Sequence, residues 1–118
     1  MKYSIGHTVL EEETADRIGS GGLPVYATPA MVALMEKTAY RLALEDGVET
    51  VGTKADISHL RACLPGTELR SEAEVTEVDG RKIVFRVEVS DGEGLIGTGI
   101  HERFAIDPDR FMARLSGR

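Results

Sequence analysis

Between Tyr26 and Leu44 the chain reads YATPAMVALMEKTAYRLAL, and its apolar and charged positions separate at helical spacing. At about 100° per residue, Val32, Met35, Ala39, Leu42 and Ala43 share one arc, while Lys37, Arg41 and Glu45 share the opposite one. The pattern predicts a helix with Thr28 as its N-cap and Pro29 at the first helical position, where a missing N–H costs nothing. Gly47, in EDG, is the candidate C-cap. One residue breaks the separation. Glu36 falls on the shoulder of the apolar arc, about 100° from Lys37.

Beyond Gly47 the spacing changes from helical to alternating. In VGTKADISHL the residues Val51, Thr53, Ala55, Ile57 and His59 share one face of a strand. ELRSEAEVTEV and RKIVFRVEVS flank Asp79-Gly80, a strong hairpin signal. Ile83, Phe85, Val87 and Val89 make one apolar face, and DGEG marks a second turn before LIGTGIHERFAI. A further strand is expected at Ser4–Leu10, and a short helix in DPDRFMARLSGR. The predicted order is strand, long helix, then about four antiparallel strands. One helix beside one antiparallel sheet buries its sides only if the sheet curves around it. The expected class is therefore α+β, with the curved antiparallel sheet wrapped around one long central helix, the arrangement called a hotdog.

Composition narrows what such a fold could do. The 118 residues suit one domain, 1–118, with one core. A formal net charge of -6 argues against broad nucleic-acid binding, which needs a basic face. It leaves room for a small anionic ligand held by a few arginines. No apolar run approaches the roughly 20 residues of a membrane span, and MKYSIGHTVLEEET lacks the apolar core of a signal peptide. Cys63 is the one cysteine, so an internal disulfide is excluded, and a cytoplasmic location is expected. The glycine-rich Ile18–Pro24 reads as a flexible loop. A phosphate-binding loop would need a Lys-Ser/Thr ending and a preceding strand, and it has neither.

Three polar residues are candidates for chemistry: Thr28, Glu36 and His59. Each has a plain structural reading: a helix cap, a carboxylate snorkelling to solvent, and a half-buried strand histidine. Thr28 and Glu36 are eight residues apart, about 12 Å along a helix axis and about 80° around it. Both can border one groove without touching. The helix amides near Thr28 could stabilise a developing oxyanion. No metal site is expected, because His59 and Cys63 alone make no zinc site and His101 and Glu102 point to opposite faces of a strand.

TPAMVALMEKTA, VGTKADISHLRACLPGTEL and AEVTEVDGRKIVFRVEVSDGEGLIGTGIHERFAI together resemble the fluoroacetyl-CoA thioesterase-like branch of the hotdog thioesterases. The likeness runs over roughly Leu23 to Ile106. It implies an acyl-CoA thioesterase in which Thr28, Glu36 and His59 form the catalytic set. By the same resemblance, Gly52 lies beside the acyl group and Arg103, in HERF, belongs to the active-site region. Coenzyme A is then part of the substrate and no separate cofactor is expected. The resemblance also implies a homodimer with its sites at the subunit boundary. The family's fluoroacetate-specific member carries a phenylalanine-rich lid before the helix, whereas GSGGLPVYATP contains no phenylalanine.

These residue types allow more than one route to hydrolysis. Thr28 could attack with His59 shuttling the proton, Glu36 could attack or orient, or Glu36 and His59 could activate water. A non-catalytic acyl-CoA-binding protein of the same fold is the alternative reading. A hotdog dehydratase would show a different Asp-and-His arrangement, which is not found.

Overall fold

The computed structural model describes residues 1–117. The elements run β1 (Lys2–Thr8), a 3-10 turn (Glu11–Glu13), α1 (Ala15–Ile18), α2 (Thr28–Glu45), β2 (Thr50–His59), β3 (Glu68–Asp79), β4 (Lys82–Asp91), β5 (Gly94–Ala105) and α3 (Pro108–Leu115). The five strands form one antiparallel sheet in the order β1-β3-β4-β5-β2. β3, β4 and β5 pair in sequence, and the Asp79-Gly80 turn joins the first two, with Gly80 at φ 62°. β1 and β2 take the two outer positions.

α2 packs against all five strands, so the sheet wraps it as the hydrophobic pattern predicts. Met31, Leu34, Met35, Ala39, Leu42 and Ala43 are buried on the helix, facing Leu69, Ala73, Phe85, Val87, Val89 and Ile96 of the sheet. Each large side chain withdrawn from water stabilises the fold by about 1.5–3 kcal/mol. Two buried hydroxyls register the helix on the sheet. Thr38 Oγ1 donates to the Leu34 carbonyl at 2.7 Å and lies 2.7 Å from Ser71 Oγ on β3.

The structure corrects several details. The N-cap of α2 is Ala27, and Thr28 is the first helical residue, with Pro29 behind it. Thr28 makes no capping bond. Both placements obey the rule that proline belongs in the first turn, where its missing N–H is harmless. Val32 is only half-buried and turns from the core toward a groove. β1 starts and ends two residues earlier than expected. The start of the glycine-rich loop is helical, since α1 includes Ile18 and is closed by Gly19 at φ 96°.

Candidate active site

The hydroxyl that does not cap the helix has another partner. Thr28 Oγ1 lies 2.7 Å from His59 Nδ1, joining the start of α2 to the end of β2. The His59 Nε2 atom is buried, and no described group bonds it. The Tyr26 ring meets the imidazole edge-on, with centroids 6.4 Å apart. Burial lowers the His59 pKa below the ordinary imidazole value, with the Arg61 backbone working the other way. The ring is therefore neutral near pH 7, and a neutral ring can accept the Thr28 proton. α2 adds two donors here. Its first intrahelical bond runs from the Met31 amide to the Ala27 carbonyl, so the Thr28 and Ala30 amides have no helical acceptor.

Two turns along α2 a second group assembles. Glu36 Oε1 lies 4.0 Å from Arg103 Nη1, with the glutamate side chain 45% exposed and the arginine 8%. Arg103 is held on every side. Its Nε donates to Thr50 Oγ1 at 2.8 Å, its Nη2 to the Thr50 carbonyl at 3.2 Å, and its guanidinium sits 5.4 Å above the Tyr40 ring centroid. The Tyr40 hydroxyl in turn donates to Glu49 at 3.0 Å.

Arg103 Nη1 also lies 3.0 Å from His101 Nε2. An arginine only donates, so this nitrogen must be the unprotonated one. The other, Nδ1, donates to the Lys54 carbonyl at 2.7 Å, which fixes that tautomer. Burial lowers the His101 pKa, and the positive charge of Arg103 acts in the same direction. His101 is thus a neutral acceptor that orients Arg103, and through it the cation beside Glu36.

Gly52 belongs to this group. A Cβ there would stand 3.2 Å from Arg103 Nη1, 3.3 Å from His101 Cε1 and 3.4 Å from Glu36 Oε1. The five residues singled out from sequence therefore form two clusters, Thr28 with His59, and Glu36 with Gly52 and Arg103. One open groove of about 650 Å³ touches both, lined by Thr28, Val32, Glu36, Lys37, Tyr40 and Arg103 among others. His59 opens instead onto an adjoining pocket of about 340 Å³ that shares Thr28 and Pro29 with the first.

Sequence reasoning missed Thr50, Tyr40 and His101. His101 stands two residues before Arg103, the same-face spacing of a strand, and that was the available signal.

Comparison with known proteins gives the family and the fold. The family described as "Fluoroacetyl-CoA-specific thioesterase" matches residues 9–109. A fluoroacetyl-CoA thioesterase of Streptantibioticus cattleyicolor is 38% identical over 94 residues, 77% of this chain and 68% of that protein. A crystal structure of the fluoroacetyl-CoA thioesterase FlK superposes with a TM-score of 0.90 at 28% identity, covering 100% of this chain and 94% of that one. A mutant of FlK in complex with fluoroacetate and CoA gives 0.87 at 29% identity, over 94% and 96% of the two chains. The fold is that of a hotdog-fold thioesterase. The chain belongs to the fluoroacetyl-CoA-specific thioesterase family.

Proposed function

We propose that the protein hydrolyses the thioester of a small acyl-CoA, using Thr28, Glu36 and His59. The observation that carries this reading is the 2.7 Å contact of Thr28 with His59 at the rim of a groove holding Glu36 and Arg103. In the route this geometry favours, Thr28 Oγ attacks the thioester carbonyl as His59 Nδ1 takes its proton. The unpaired amides of Thr28 and Ala30 suit the oxyanion. The CoA thiolate leaves with a proton from His59, and water, activated by Glu36, then hydrolyses the acyl ester and returns Thr28 its proton. The second reading has water activated directly by Glu36 and His59; Glu36's place in the groove beside a cation favours it.

The two clusters also suggest how the site is completed. β2 carries Gly52 near one end and His59 at the other, and its outer edge pairs with no described strand. Gly52 to Asp56 are exposed. An exposed edge strand invites pairing. We place a second copy of the chain along β2, where it would wall the groove and close the site at the subunit boundary.

A small acyl group suits this site, because even a Cβ at Gly52 would stand within 3.4 Å of Arg103, His101 and Glu36. The pre-helix segment has no phenylalanine, so a fluoroacetyl group is not favoured over other short acyl groups. No described helix is long and apolar enough to cross a membrane. A cytoplasmic location suits the free thiol of Cys63. The test is release of free CoA thiol across a panel of short acyl-CoAs. Turnover of at least one supports the reading. Saturable acyl-CoA binding without turnover would favour the non-catalytic alternative.

A further inference from the structure

Three arginines outside the active site converge on one pocket. It has a volume of about 190 Å³ and is lined by Arg81, Ile106, Asp107, Arg110, Phe111 and Arg114. Arg81 comes from the β3–β4 turn, and Arg110 and Arg114 lie one turn apart on α3. None of the three guanidinium groups makes a hydrogen bond or ion pair among the described residues. Most other described arginines are paired, and Arg17 and Arg41, which are not, lie outside this pocket. Arg61 pairs with Asp91, Arg70 with Glu72, Arg86 with Glu72, Glu74 and Glu88, and Arg103 with Glu36.

A chain with net charge -6 has acids to spare, so three unpaired cations around one small pocket are not a matter of composition. The pocket's one acid, Asp107, is turned to another use: its Oδ1 accepts the Arg110 amide at 3.2 Å and caps α3. An excess of positive charge remains. Guanidinium groups favour phosphate because their forked donors match its oxygens. Phe111 and Ile106 supply apolar surface beside them.

The pocket's place in the fold links it to the groove. The Ala105 amide donates to the Arg81 carbonyl at 2.8 Å, and Ala105 follows Arg103 by two residues, about 7 Å along the strand. We propose that Arg81, Arg110 and Arg114 form a phosphate-monoester site that takes the 3′-phosphate of coenzyme A, with Phe111 and Ile106 against the adenine. This assignment rests on the acyl-CoA reading above. Among the other arginines, Arg61 is committed to Asp91 at 2.7 Å and Arg103 is buried against Thr50 and His101.

Two measurements test it. In the first, Arg110→Ala and Arg81→Ala are compared with Arg70→Ala, which removes the same charge elsewhere. The site predicts that the first two raise KM for acyl-CoA by about tenfold, while kcat and the KM for the matching acyl-pantetheine thioester stay at the parent value. Arg70→Ala should leave KM unchanged. In the second, adenosine 3′,5′-bisphosphate is titrated calorimetrically into the parent protein and the Arg110→Ala variant. Binding to the parent and its loss in the variant support the site even if no acyl-CoA is turned over, which separates failure of the thioesterase reading from failure of this one. Inorganic phosphate bound as tightly as the bisphosphate would overturn the nucleotide assignment. An unchanged KM together with no bisphosphate binding would overturn the site itself.

Discussion

Thr28 gives its hydroxyl to His59 across the boundary of α2 and β2, at 2.7 Å, and not to the amides of its own helix. The two uses of that oxygen have different signatures. If Thr28 served as a cap, Thr28→Ala would cost about 1 kcal/mol of stability. Its bond to His59 is itself worth about 0.5–1.5 kcal/mol, so the expected loss of stability is of the same order and turnover is the readout that tells the two uses apart. Turnover should fall by on the order of a hundredfold or more, and Thr28→Ser should keep most of it. Thermal unfolding and steady-state kinetics on the two variants measure both effects.

The neutral state of His59 sets the acid side of the activity. Burial lowers its pKa, so the ring stays an acceptor to a lower pH than a free imidazole with a pKa near 6.5. The acid half-point of the kcat/KM profile should therefore lie below pH 6.5. His59→Ala should remove that limb along with most of the activity. A half-point at or above 6.5 would contradict the burial argument.

The same burial has a consequence for stability. His59 and His101 both have lowered pKa values in the folded protein. Between the folded values and about 6.5 the unfolded chain binds more protons than the folded one, so stability rises with pH in that window. Above it, both rings are neutral in both states and their contribution is flat. Urea unfolding from pH 5 to pH 7.5 should show midpoints that climb and then level.

His101 acts on the site through Arg103, and a shape-preserving change should reveal that. His101→Phe fills the space beside Phe85, where the two rings now stack with centroids 6.2 Å apart, but offers Arg103 Nη1 no acceptor. Leaving a buried charged donor unpaired costs about 1–3 kcal/mol. The kcat should fall by about tenfold, with part of it restored by His101→Gln, whose carbonyl oxygen can accept. Equal activity in the two variants would reduce His101 to a packing residue.

Gly52 offers a steric test beside Glu36 and Arg103. Its φ is not positive, so alanine meets no backbone strain, and the cost is confined to contacts of 3.2–3.4 Å with Arg103, His101 and Glu36. Gly52→Ala should fold normally and raise KM for the best acyl-CoA by several-fold to about tenfold. A larger defect should follow for longer acyl groups, measurable as a steeper chain-length profile.

How much of this was legible in the sequence depended on the range of each interaction. The helix and the β3–β4–β5 meander follow from local periodicity and from Asp79-Gly80, and they appear as expected. The return of β2 to the edge beside β5 does not, because no local signal records which strands pair over a distance. Thr28, Glu36, His59, Gly52 and Arg103 could be listed from resemblance. Their division into two clusters could not, since it depends on how β2, with its bulge between Gly52 and Lys54, packs along α2. The cap of α2 was misplaced by one residue because Thr-Pro fits both registers of a helix start, and what decides between them is His59, 31 residues away. Thr50 and Tyr40 stayed invisible for the same reason: each acts on Arg103 through space.

Glu36→Gln tests the central claim most directly, because it keeps the shape of the side chain and removes only its charge. The measurement is turnover of the best acyl-CoA by this variant and by the parent, each checked for folding by its unfolding midpoint. If Glu36 works with Thr28 and His59 on the thioester, turnover should drop by on the order of a hundredfold or more while the midpoint stays close to the parent's. A folded Glu36→Gln protein hydrolysing that substrate at the parent rate would make Glu36 a solvated helix residue and contradict the account.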